Sequence, residues 1–299
     1  MKRVSNFRVR SIPQRGQRLA AVVIALLCVP STVSAADAKP WAIFVMRPDG
    51  SEVRKLVQVE GCGEHAGPRW SHDGSRVTFS ASTGGWSANA LYVVNADGSG
   101  LRKLGQHVRA DWSPDDKQIV YDYYPQGSSS EVYVQDLDGL GRTRIAAGTS
   151  PRWSPDGGSL AISDRSNVFV MDLLSGETRT LFEQPVLEVF DGFCWSRDGS
   201  RLAVVVRPKE GDRRHCLFVN AAGESQGIHK RVEGEMGGYV SFSPDGKQLV
   251  YSDGLMLRII DVEGDKRYRL VPGQKGKSKH PDWSPDGKWI VFSSDRNPA

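Results

Sequence analysis

Apolar residues along this chain fall into short runs that follow one recurring polar punctuation. Ser284-Pro285-Asp286-Gly287 precedes the run Ile290-Val291-Phe292, and five earlier segments repeat the arrangement. Each segment begins with an aromatic residue, at Trp70, Trp112, Trp153, Trp195, Phe242 and Trp283. Ser-x-Asp-Gly comes next, and then a strand-length apolar stretch. A run with so few polar breaks suits a strand covered on both faces. The tetrapeptide is turn chemistry, in which proline presets φ, aspartate caps the backbone and glycine accepts a left-handed conformation. A second strand pair with its own turn follows, as in Leu91–Leu104 and Val168–Leu181. No segment keeps a helical period, so the pattern predicts an all-β chain.

The aromatic positions are spaced by 42, 41, 42, 47 and 41 residues. A period near 42 is what one four-stranded propeller blade occupies. The segment Ile43–Leu56 reads as the second half of a unit, and Trp283–Ser293 reads as the first half of another. Together they predict one shared blade that joins the ends of a six-bladed β-propeller over residues 41–296 and leaves no open sheet edge at the seam. The repeated WSPDGK…IVFSS and IFVMRPDGSEVRKL strings resemble the TolB-like propeller repeat family. That resemblance implies a propeller without the additional N-terminal α/β domain of TolB. Departures inside the repeats are few: His72 and Arg197 stand for Pro, Asp116 for Gly and Phe242 for Trp.

The turn between a unit's first and second strands is constant, and the one between its third and fourth is short. Length varies in the other two connections, and in an antiparallel blade alternate connections share a face. One face therefore carries the variable loops, where binding residues concentrate on rigid scaffolds. Those loops include Ser80–Ala90, Tyr121–Glu131, Arg207–His215, Gly61–Pro68, Gly105–Ala110 and Gly273–Pro281. Trp86 has no counterpart in other units, and with Tyr123, Tyr124, Arg109 and Arg213 it is a candidate anchor for a sugar or a partner protein. His65 and His107 lie five residues before their unit's Trp, and His280 lies three before Trp283. Histidines converging on a propeller mouth offer a divalent metal site, as in the propeller lyases of uronic-acid polysaccharides that this arrangement resembles. The repeated turn aspartates Asp73, Asp115, Asp156, Asp198, Asp245 and Asp286 are expected to brace turns.

Charge and cysteine count refine the picture. The formal charge of +4 becomes −2 once residues 1–35, with six basic side chains and no acid, are set aside. No basic stripe for nucleic acid then remains. That segment has the form of an export signal, with the apolar run Leu19–Val29 and the small residues Val33-Ser34-Ala35. Its 11 apolar residues are too few to cross a bilayer. Cys62, Cys194 and Cys216 follow it, and Cys194 and Cys216, on the first and third strands of one blade, are expected to be free buried thiols. Gly-x-Ser-x-Gly, phosphate-loop, His-Glu-x-x-His and Cys-x-x-Cys motifs are absent from the sequence. The reading is of an exported envelope scaffold that binds a protein or glycan, with no cofactor required. The basic loops Lys275–Lys279 and Arg213–Arg214 point to an acidic element in the partner. The alternative is a metal-dependent uronide lyase or hydrolase.

Overall fold

The computed structural model describes residues 40–84, 89–106, 109–124, 129–164, 166–183, 187–208, 214–220, 237–263 and 268–296. Among them every regular element is a strand. Chain order begins with β1 (Ala42–Met46) and β2 (Arg54–Val57). Blade one holds β3 (Glu64–Trp70), β4 (Arg76–Ser82), β5 (Asn89–Asn95) and β6 (Arg102–Gly105). Blade two holds β7 (Ala110–Trp112), β8 (Gln118–Tyr123), β9 (Glu131–Asp136) and β10 (Thr143–Ala147). Blade three holds β11 (Thr149–Trp153), β12 (Ser159–Ser163), β13 (Asn167–Asp172) and β14 (Thr178–Glu183). Blade four shows β15 (Leu187–Trp195), β16 (Arg201–Pro208) and β17 (His215–Asn220), and the segment 221–236 lies outside the described residues. Blade five holds β18 (Val240–Phe242), β19 (Gln248–Ser252), β20 (Leu257–Asp261) and β21 (Tyr268–Leu270). The last two strands are β22 (Ser278–Trp283) and β23 (Ile290–Ser294).

Blade six is the shared one. Its strand order is β2-β1-β23-β22, with Ala42 opposite Ser294 and Met46 opposite Ile290. The inner strands β22, β3, β7, β11, β15 and β18 touch in sequence around the axis, so the ring is closed. This is the architecture that the repeat predicts.

Six apolar clusters form the core, one at each junction between neighbouring blades. Ile43, Val45 and Val291 of blade six meet Trp70, Val77 and Phe79 of blade one, for example. Both faces of a middle strand therefore lie against other blades, which is why β1 and β23 are buried throughout. The six turns share one geometry. Each Ser hydroxyl donates to its Asp, from 2.5 Å at Ser154–Asp156 to 2.7 Å at Ser113–Asp115, and accepts an amide N–H from five residues on. The α-carbon of Gly157 looks onto Pro114 of the preceding blade's turn, and Gly74, Gly199 and Gly287 look onto Pro285, Pro155 and Pro244 in the same way. Turn packs on turn around that face.

Cys62, Cys194 and Cys216 are free and buried. Cys194 pairs in register with Ala203 and Cys216 with Val205, so β16 stands between the two thiols. Burial pushes the Cys194 thiol up to about 12, and Cys216 is raised for the same reason. Neither is an activated nucleophile.

Candidate functional site

Inner strands line the axis, and two positions in each repeat decide what lines it. The first is the residue immediately before the repeat aromatic. Around the ring this is Asp282, Arg69, Asp111, Arg152, Cys194 and Ser241. They enclose a cavity of about 160 Å³ that opens between the constant turns past His72, Pro155, Arg197, Pro244 and Pro285. Where this residue is an acceptor, it holds the next blade. Asp282 Oδ2 accepts Trp70 N–H at 2.9 Å, Asp111 Oδ2 accepts Trp153 N–H at 3.0 Å, and Ser241 Oγ accepts Trp283 N–H at 3.1 Å. Asp282 Oδ1 also receives Arg69 Nη1 at 2.9 Å in a buried ion pair. Burial raises the Asp111 pKa above the ordinary carboxylate value, against the opposing pull of Arg152, Arg69 and His72.

The second position lies three residues before the aromatic, toward the loop face, and holds Gly67, Arg109, Ser150, Gly192, Tyr239 and His280. Gly67, Ser150 and His280 are left-handed, with φ of 58°, 54° and 53°, inside β-bulges that shift the register of β3, β11 and β22. Glycine takes this conformation freely, whereas histidine does so at a cost and is uncommon there. The bulge carries the His280 ring against Tyr239, edge to face at 4.4 Å. Ser293 Oγ donates to the Lys279 carbonyl, so His280 Nδ1 carries the proton that bonds Ser293 Oγ at 3.0 Å. Nε2 is left as a lone-pair acceptor. Burial, reinforced by Lys279, Arg109 and Arg69, pulls the His280 pKa down to about 3, so the ring is neutral.

Arg109 is buried beside this group and is not a free cation. Its Nη1 bonds Asp122 at 3.0 Å and the Tyr124 hydroxyl at 3.1 Å. Asp122 is fully buried and also accepts the amides of Arg109 and Ser150, which ties blade two to blade three. Tyr124 thus sits at the loop-face mouth. Tyr123 stands edge-on to Tyr133 with the Arg142 guanidinium 5.0 Å above it, so it belongs to its own blade's outer packing.

The structure does not bring His65 and His280 together. His65 Nε2 accepts Val59 N–H at 2.8 Å, and its ring stacks on Phe79, which stacks on Tyr92. Burial lowers its pKa to about 4. His65 braces its own blade. His107, Trp86 and Arg213 lie outside the described residues. Among the described residues, no group of three or more His, Cys, Asp or Glu is disposed to hold a metal ion.

Sequence reasoning overlooked the ring before the aromatics. The signal was present as a column, Arg, Asp, Arg, Cys, Ser, Asp, directly before the six repeat aromatics. The central role of Tyr239 was also missed, because it stands outside every variable loop considered.

No family model matches the chain. Solved TolB structures share its fold: one from Agrobacterium tumefaciens has a TM-score of 0.67 at 18% identity, covering 85% of this chain and 98% of that one. TolB from Acinetobacter baumannii has a TM-score of 0.66 at 20% identity, over 83% of this chain and 67% of that one. Oligogalacturonate lyase from Vibrio parahaemolyticus is more distant, at 0.51 and 12% identity over 85% and 97%. Among curated proteins, dipeptidyl-peptidase 5 of Porphyromonas gingivalis is 29% identical over 282 residues, which is 84% of this chain but 40% of the peptidase. The chain thus spans well under half the length of that relative. Among the described residues, no helix is long and apolar enough to cross a membrane. Strand order, closure and repeat chemistry together make this chain a six-bladed β-propeller of TolB-like fold.

Proposed function

We propose that this propeller is an exported scaffold that binds a protein or glycan partner in the cell envelope through its loop-bearing face. The observation that carries this reading is the group at the loop-face mouth. Half-buried Tyr239 packs edge to face on His280, whose neutral Nε2 is an acceptor without a protein partner among the described residues, and Tyr124 is held by the Arg109 guanidinium of the same inner ring position. Aromatic faces beside a fixed acceptor suit a sugar ring or a partner's amide and hydroxyl groups. A left-handed histidine kept where blade one uses glycine supports a role for the side chain itself. The export-signal pattern of residues 1–35 supports a periplasmic or secreted location, with a mature chain starting near Ala36. Trp86 and Arg213, outside the described residues, stay candidate contacts in this reading.

Immobilised propeller should capture an envelope protein or glycan, and Tyr239→Ala or Tyr124→Ala should weaken that capture at least tenfold. The turn-face substitution Lys117→Glu should leave capture intact. Equal capture by all variants would remove the loop face from the function.

A further inference from the structure

The opposite mouth presents a second, chemically distinct opportunity. Of the six residues ringing the turn-face cavity, three make bonds that complete the ring. Asp282, Asp111 and Ser241 accept amides of the following blade. The two arginines are not so fully used. Arg69 is 5% exposed, and beyond its Nη1 bond to Asp282 its Nε and Nη2 have no hydrogen-bond partner among the described residues. Arg152 is 3% exposed, with Nε on the Phe193 carbonyl at 3.3 Å and Nη1 on the Pro151 carbonyl at 2.8 Å. No carboxylate lies in ion-pair distance of Arg152 among the described residues. Burial and the neighbouring Arg69 charge pull its pKa down to about 10, which marks a guanidinium whose charge is incompletely compensated.

A buried cation is normally paired, because desolvation of an isolated charge is costly. Here two guanidiniums line one cavity with N–H groups to spare, and exposed Arg197 stands at its rim. Planar forks of this kind match a carboxylate better than any single ammonium would. Size restricts the ligand further. A cavity of about 150 Å³ holds a benzene ring, so 160 Å³ admits roughly six heavy atoms. That is a side chain or a very small acid, well below the volume that encloses a drug-sized molecule.

We infer that the turn-face throat is a carboxylate-binding site, in which Arg152 and Arg69 receive one carboxylate carried by a small organic acid or by an acidic partner peptide. Asp111 keeps a second oxygen beyond its bond to the Trp153 amide, so a ligand that also carries a hydroxyl or amine fits better than a bare acid. The two sites share no residue, and they meet where the Arg69 guanidinium lies 6.0 Å from the Tyr239 ring.

Four tryptophans line the cavity, namely Trp70, Trp153, Trp195 and Trp283, so their fluorescence reports occupancy directly. The purified chain would be titrated with succinate, malate, a glutamate-bearing capped tripeptide and an uncapped tripeptide, each beside its amide counterpart. The expected result is saturable binding of at least one carboxylate probe, with its amide at least tenfold weaker. Succinate or malate binding alone identifies a free acid as ligand, and tighter binding of either peptide identifies a partner chain. Arg152→Gln should weaken binding at least tenfold, Arg197→Glu severalfold, and Tyr124→Ala not at all. Arg197 is exposed, so its variant keeps the test decisive if Arg152→Gln fails to fold. Absence of binding by every probe at millimolar concentration, equal binding of acids and amides, or unchanged affinity in Arg197→Glu would overturn the assignment.

Discussion

The carboxylate of Asp116 caps the turn of the neighbouring blade by accepting the amide of His72 at 2.7 Å, and it accepts the amide of Asp73 at 2.8 Å as well. His72 and Asp116 stand together where Pro and Gly meet at four other junctions. A proline at 72 would have no N–H to give, and a glycine at 116 would have no carboxylate to receive it. Asp116 holds a φ of 57° to do this. Its polar clasp replaces an apolar contact.

Asp116→Gly and His72→Pro should each lower stability by about 1 kcal/mol. The double variant, which restores the common turn contact, should lose about 1 kcal/mol less than the sum. Urea unfolding of all four proteins measures the coupling, and strict additivity would contradict it.

Acid should weaken the fold in two steps. His65 and His280 are held neutral, with pKa values near 4 and 3, while the unfolded chain takes up these protons near 6.5. The folded form binds fewer protons there, so stability falls as pH drops from about 6.5. The six turn aspartates sit below their ordinary value because Ser hydroxyls and backbone amides bond them, and in Asp73 and Asp286 these bonds outweigh burial. Their stabilisation is present above about pH 4 and disappears below it. Melting temperatures from pH 8 to pH 3.5 should show a gentle fall and then a steep one, and a flat profile between pH 6.5 and 4.5 would refute the histidine contribution. His65→Gln should flatten the first step.

Gly192 is required by an approach between blades rather than by its own backbone. A β-carbon there would clash with the carbonyl oxygen of Gly238, in the segment leading into β18. Neither backbone can yield without opening the ring at blades four and five. Gly192→Ala should therefore cost about 3 kcal/mol or more. Gly246→Ala, also at an inter-blade turn but with nothing within 4 Å, serves as the comparison and carries only the cost of its φ of 69°. A similar loss of melting temperature in both would show that contact at 192 does not matter.

The ring, its blade count and its closure were legible because they follow from local chemistry repeated six times. Ser154 and Asp156 announce a turn whatever surrounds them. The two thiols on β15 and β17 could be placed free by strand spacing alone. Side-chain direction near the axis was much less legible. The bulges at Gly67, Ser150 and His280 turn the inner strands where simple alternation would have carried on, so counting residues back from Trp, five for His65 and three for His280, did not reveal which way either ring points. His65 turned toward Phe79 and His280 toward Tyr239. The His72–Asp116 partnership was hidden for another reason: each departure is mild in its own repeat, and only adjacent blades bring positions 44 residues apart into contact.

The pairing of Ala42 with Ser294 has a mechanical consequence. The first strand enters and the last strand leaves at the same end of their antiparallel ladder. Tension applied between the two termini would load that ladder one rung at a time, as in opening a zip, instead of shearing five rungs together. A propeller tethered by both ends would thus yield under small forces at this single blade, while the other five blades stayed unstressed.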